Sequence, residues 1–282
     1  MPPVRFWVSA FVMLSSFIKE SVGALLRRTG LIVLSALIPA SIAAADPPFS
    51  STADTVFDII TVDDPSHFTC LSFAGRTTRQ MWDKRVDNEF DFNVYLFRAH
   101  FDDSPPFDII VNPEFGTREA AEAEARRYTK PLGQLPLIFR HGIRQFGIHK
   151  GNPTFSAGSG KIFVYSDRTT TRIGQNHLEE SLLHEAVHAT LDREYRQSDE
   201  WIAAQESDGR FLTRYAASRP GREDMAETAL FAYGLIRHPG RIPPVDSRDI
   251  LAAVPARIAF IKDLLDQIPQ VPPAPSPPEN CH

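Results

Sequence analysis

Apolar and polar positions change period several times along this chain, and each change marks an expected element. Val56-Phe57-Asp58-Ile59-Ile60-Thr61-Val62 reads as a strand. Asn93 to Phe97 alternates in strand fashion, and Phe107 to Val111 does the same before Asn112-Pro113 stops it. Thr117 to Tyr128 is rich in Ala, Glu and Arg with no breaker, which predicts a helix; Pro131-Leu132-Gly133 and Pro136 punctuate the next stretch. The Gly/Ser turn Ala157-Gly158-Ser159-Gly160 introduces a strand from Lys161 to Tyr165. From Gln175 to about Glu194 the pattern turns helical, with Asn176 and Glu179 placed as an N-terminal capping pair. A second strong helix is expected from Glu223 to Arg237, and a last one from about Asp249 to Ile268 with a kink at Pro255. The mixture predicts one α+β body. Residues 46–130 form its N-terminal part, residues 131–268 the part with the candidate chemistry, and residues 269–282 an extended Pro-rich tail.

The first 45 residues stand apart from this pattern. Two short apolar runs, Phe6 to Ile18 and Leu31 to Ile38, are each below the roughly 20 residues that span a bilayer. Arg27-Arg28, the second run and the small residues Ser41-Ile42-Ala43-Ala44-Ala45 follow one another in the order of a secretory signal peptide. Cleavage is expected near Ala43 to Ala45, giving a secreted or periplasmic protein. An uncleaved first run would instead anchor the chain to a membrane, its sole expected contact with lipid.

Composition narrows the function classes. Hydrophobic residues at 43% and charged residues at 23% describe an ordinary globular chain, so disorder and coiled coil are excluded. Without residues 1–45, which hold Arg5, Lys19, Arg27, Arg28 and Glu20, the chain carries 26 bases and 34 acids, a net charge of −8. That balance, with no Lys/Arg-rich block, argues against nucleic acid as a partner. Two cysteines, Cys70 and Cys281, cannot build a four-thiolate zinc site. In an exported chain they either bridge, tethering the tail, or remain separate thiols.

The chemistry lies at His184-Glu185-Ala186-Val187-His188. Histidines four apart on a helix project from one face, so both rings reach one zinc ion. Glu185, beside the first, stands where it can take a proton from a water at that metal. A third ligand has to come from elsewhere. Position 191 is Leu and position 194 is Glu, so the helix is expected to continue and to carry Glu194 away from the metal. Glu223 and Glu227, four apart among apolar neighbours, are the downstream candidates, because two such carboxylates are costly to bury without a cation. Asp192, four after His188, is placed to orient that ring. His177, His141 and His149 read as surface, capping or structural histidines, and Asp208 as a turn residue.

His184-Glu185-x-x-His188, then Phe211-Leu212-Thr213-Arg214-Tyr215-Ala216, then Glu223-Asp224-Met225-Ala226-Glu227 resembles the catalytic domain of anthrax lethal factor and its gluzincin relatives. The resemblance covers roughly residues 130–240 and includes Gly133-Gln134-Leu135-Pro136 and His149-Lys150-Gly151. It implies a zincin-like fold, with a small mixed or antiparallel sheet packed on the motif helix and a downstream glutamate-bearing helix. It also implies a zinc metallopeptidase acting on a peptide or protein substrate. Carried over by position, His184, His188 and Glu223 are ligands of Zn2+, Glu185 is the general base and Tyr215 a donor at the scissile amide. Glu227 would orient a ligand histidine. One departure is that Tyr215 and Glu223 are one residue further apart than in the family, with Pro220-Gly221 between them. The strand Lys161 to Tyr165 either pairs with an extended substrate or is a plain member of the sheet with no such role. Two alternatives remain from the sequence: an inactive module of the same fold that binds a partner, and a zinc-stabilised structural protein. Substrate preference and oligomeric state are unknown from the sequence.

Overall fold

The computed structural model describes residues 46–279 and 281–282; the expected leader lies outside the described residues. In chain order the elements are β1 (Phe68–Asp83), β2 (Asn88–Phe101), β3 (Phe107–Val111), α1 (Arg118–Gln134), α2 (Leu137–Arg140), β4 (Gln145–His149), β5 (Ser156–Gly158), β6 (Lys161–Tyr165), α3 (Ser166–Gly174), α4 (Leu178–Thr190), α5 (Asp199–Asp208), α6 (Arg214–Ser218), α7 (Asp224–Arg237), α8 (Pro244–Ala253) and α9 (Pro255–Asp266). The strands form one mixed sheet in the order β1-β2-β3-β4-β6-β5. β3, β4 and β6 run parallel, while β1, β2 and β5 pair antiparallel to their neighbours. The fold class is therefore α+β.

Side-chain alternation gives the sheet two different faces. Ile109, Val111, Ile162 and Val164 point into the main core beneath the helices, whereas Ile110, Phe163, Met81, Val94 and Leu96 form a small second cluster on the opposite face. α4 packs against β5, β6 and α7. α7 is buried at every position from Asp224 to Gly234, as a helix apolar on all sides requires. Among the described residues no helix is long and apolar enough to cross a membrane.

Several sequence expectations are corrected. Residues 56–62 do not form a strand: the Ile59 and Ile60 amides donate to the Glu180 carboxylate at 2.7 and 2.8 Å instead of to a neighbouring strand. The long hairpin of β1 and β2 is legible only in part, because between Phe73 and Met81 neither face of β1 is fully buried and no apolar alternation marks it. α1 runs through Pro131 to Gln134, held by burial of Tyr128, Thr129 and residues 131–134. The helix expected from Gln175 splits, since Asn176 adopts a positive φ of 49° and His177 caps α4 without a side-chain bond, so the Asn176–Glu179 pair does not form. α4 also ends at Thr190 rather than near Glu194. The last helix is two, α8 and α9, broken at Val254 ahead of Pro255. Finally, β6 lies between β4 and β5, so both its edges are occupied and it cannot take an added strand. The free edge belongs to β5. It is joined to β6 by a turn in which Ser159 and Gly160 both have positive φ, as two-residue hairpin turns require.

Cys70 and Cys281 are joined in a disulfide across a sequence separation of 211. Leu71 and His282 exchange backbone hydrogen bonds at 2.9 and 3.2 Å, so the end of the tail covers part of the exposed edge of β1. Closing so long a loop stabilises by at most about 5 kcal/mol. Cys281→Ser is expected to lower the stability by less than that ceiling, with the tail released and the body still folded. Limited proteolysis is the sharper check: the variant should lose residues 269–282 to a protease that leaves the parent's tail intact.

Candidate metal centre

α4 buries Leu178, Leu182, Leu183, Ala186 and Val187 and turns the remaining face, with His184, Glu185 and His188, toward a cavity of about 380 Å³. The two imidazoles meet there with Nε2 atoms 3.2 Å apart. Glu223, at the N-terminal cap of α7, brings Oε2 to 3.1 Å from His188 Nε2 and 3.6 Å from His184 Nε2. The turn Arg219–Glu223 places this carboxylate, closed by Glu223 N–H donating to Arg219 carbonyl oxygen at 2.9 Å. Pro220-Gly221 lies within that turn.

The other ring nitrogens decide which atoms face the centre. His188 Nδ1 lies 2.9 Å from Asp192 Oδ2, which Arg196 also contacts at 3.3 Å. His184 Nδ1 lies 3.2 Å from the Thr52 hydroxyl and 3.5 Å from Glu227 Oε1. The Thr52 hydroxyl donates to Glu227 at 2.7 Å and therefore accepts from His184. Both histidines thus carry their proton on Nδ1 when neutral, leaving two Nε2 lone pairs and a carboxylate oxygen converging on one point. Lone pairs at such distances repel unless a cation lies between them. Two imidazoles with a carboxylate is also a donor set that suits zinc.

Without a metal, a proton held among these donors would relieve the repulsion. Burial disfavours a charged His188, but Asp192 and Glu223 outweigh it and raise the imidazole to about 10. Glu223 is likewise penalised by burial, yet the two histidines hold its carboxyl well below the usual range. At pH 7 His188 therefore carries a proton that a bound metal must displace. Zinc uptake is expected to release about one proton per ion and to weaken about tenfold for each pH unit lowered. An indicator dye in weakly buffered solution checks the first, and zinc titration between pH 6 and 8 the second.

Thr52 belongs to an N-terminal segment laced over α4. Its amide donates to Glu227 at 2.8 Å and its carbonyl lies 3.0 Å from His177 Nε2. Further along, Glu180 takes the Ile59 and Ile60 amides, and burial pushes its carboxyl up to about 7. His177 stands at the N-cap of α4, one of the places expected from the sequence, but it is not on the surface. It is buried, which lowers its ring to about 4. Glu227, 1% exposed, links this segment to His184.

Glu185 and Tyr215 complete the cavity wall. Burial raises the Glu185 carboxyl, opposed by His184 and His188. Burial also raises the Tyr215 phenol, reinforced by Glu223, so the hydroxyl keeps its proton at neutral pH. Tyr215 sits on α6, started by the Thr213 hydroxyl accepting from Ala216 N–H, and receives a hydrogen bond from Arg219 at 3.2 Å.

No family model matches this chain, and no curated protein or solved structure matches it. The geometry brings together the seven candidate site residues: His184, His188 and Glu223 within 4.8 Å, Glu185 and Tyr215 on the same cavity, and Asp192 and Glu227 behind the two rings. Thr52 was not foreseen. It lies 132 residues from His184 in an unremarkable Ser-Ser-Thr stretch, where nothing local signals its role. Asp208 is more than the expected turn residue, since it holds the buried Arg257 at 2.9 Å.

Proposed function

We propose that this protein is an exported zinc-dependent peptidase of zincin-like, gluzincin type. The observation that carries the reading is the convergence of His184 Nε2, His188 Nε2 and Glu223 Oε2 in a cavity that also presents Glu185 and Tyr215. Among the described residues this group has three donors, whereas a closed structural zinc site takes four, so a position is left for water or substrate. The Cys70–Cys281 disulfide supports an oxidising, extracytoplasmic compartment.

Zinc held by these three residues supplies a Lewis acid that polarises a carbonyl and acidifies water. Glu185 acts as the general base, taking the proton of the attacking water and returning it to the leaving amine. Burial shifts its carboxyl upward from the ordinary glutamate value, the direction a general base requires. Tyr215 donates its hydroxyl hydrogen to the oxygen on which charge develops. Asp192, Glu227 and Thr52 hold the histidine rings in register. Ser156 and Ala157 of β5 line the cavity, so the free edge of that strand is where an extended peptide would pair.

Elemental analysis of the purified protein beside Glu223→Ala tests the centre. About one zinc per chain is expected in the parent and markedly less in the variant, because loss of one of three ligands weakens binding steeply. Equal zinc in both would remove Glu223 from the ligand set; no zinc in either after adding it back would end the metal reading. A zinc-loaded parent inert against broad peptide libraries would favour a partner-binding module.

A further inference from the structure

Lys84, Arg168, Arg172, Arg219 and Arg222 all line the cavity that contains the metal centre. Its acidic lining residues are Glu185, Glu223 and Glu227, all committed to that centre. This basic rim belongs to a chain that is acidic as a whole. Among the described residues, Lys84, Arg168, Arg172 and Arg219 have no carboxylate within ion-pair distance, and Arg222 contacts only Glu223, at 3.4 Å. What they hold instead is neutral. Lys84 donates to the Thr154 hydroxyl at 2.5 Å, Arg168 to the Asn152 carbonyl at 3.0 Å, Arg172 to the Ala53 carbonyl at 3.1 Å and Arg219 to the Tyr215 hydroxyl at 3.2 Å.

All of them share the cavity with the three converging donors. Arg168 and Arg172 are four residues apart on α3, hence on one face of that helix, where like charges repel. Asp54 attracts Arg172 only from beyond ion-pair distance. Arg219 lies over the Tyr215 ring, with its guanidinium carbon 5.3 Å from the centroid. Lys84, beside Thr154 and Phe155, is close enough to act electrostatically on Glu185. A ligand that brought carboxylates to these groups would relieve the Arg168–Arg172 repulsion, and the acidic body would steer no anion elsewhere on the surface. Resting on the peptidase reading, we propose that the cavity selects peptides with Asp or Glu side chains flanking the scissile bond. Lys84, Arg168, Arg172 and Arg219 are the groups that receive those carboxylates.

The test uses the zinc-loaded protein and matched fluorogenic peptides that differ only in carrying Glu, Gln or Lys beside the cleaved bond. We expect kcat/KM to be at least about tenfold higher for Glu than for Gln, lowest for Lys, with the preference shrinking as ionic strength rises. In Arg168→Gln/Arg172→Gln the Glu-to-Gln ratio should fall toward one. Arg172 also ties down Ala53, so Arg168→Gln and Lys84→Gln serve as separate variants if the double one melts early. Cleavage with no acidic preference overturns this inference and leaves the peptidase reading intact. If no peptide is cleaved, fluorescence anisotropy on the same protein separates the two ideas. Salt-sensitive binding of the Glu peptide over the Gln peptide keeps the acidic recognition while removing the hydrolytic reading; equal binding overturns the recognition. Tighter binding of heparin or single-stranded nucleic acid than of a peptide of equal charge would also overturn it, in favour of a polyanion site.

Discussion

Glu185→Gln is expected to lower peptide hydrolysis by about a thousandfold, within the range that a positioned general base contributes. Glutamine keeps the size of the side chain and loses the basic oxygen. The variant should still hold zinc, because the three converging donor atoms belong to His184, His188 and Glu223. It should also fold as well as the parent or better, since burial works against the Glu185 charge and the amide removes that burden. Loss of rate with retained zinc and an unchanged or higher melting midpoint is therefore the combined signature. Tyr215→Phe makes a useful companion, with a smaller loss, because it removes one of two stabilisers of the developing charge. Activity within tenfold of the parent in zinc-loaded Glu185→Gln would strike out its role as base.

The parts of this molecule that could be read in the sequence are those whose signals are local. His184 and His188 declare themselves because helical geometry alone puts residues four apart on one face. Glu223 and Glu227 stand out as carboxylates in an apolar helix, and both are buried in the fold. Asp192 follows from its distance to His188 along the chain, although α4 ends at Thr190 and a turn rather than a helix delivers it. What failed was the tertiary substitution of one partner for another. Residues 56–62 have a strand's composition, yet a glutamate on α4 takes the amides a neighbouring strand would have taken. For β6 the sequence leaves substrate pairing and plain sheet membership open, and only its pairing with β4 and the three-residue β5 decides for the second. Thr52 and the cavity's arginines lie on segments that meet only in space, so neither spacing nor composition connects them.

Arg257→Met is expected to destabilise the protein by about 3–5 kcal/mol, the usual consequence of removing one partner from a buried charge network. Arg257 is fully buried on α9. Its guanidinium donates to Asp208 Oδ2 at 2.9 Å, to both Asp224 carboxylate oxygens at 2.7 and 2.8 Å and to the Arg210 carbonyl. Methionine fills much of the volume and satisfies none of these groups, which leaves two buried carboxylates without their cation. For a domain of this size the loss corresponds to a fall of about 10 °C in melting midpoint. Asp224 immediately follows Glu223, and Gln205 donates to it at 2.8 Å, so the same network fixes the start of α7 and thereby one of the three donors of the metal centre. The variant should accordingly bind zinc more weakly as well as melt earlier, and added zinc should raise its midpoint by mass action. Arg257→Met/Asp224→Asn separates charge from packing: the amide removes one stranded carboxylate and should recover part of the loss. A midpoint for Arg257→Met equal to the parent's would mean that packing of α9 against α5 and α7, rather than the ion network, holds the Glu223 end of α7 in place.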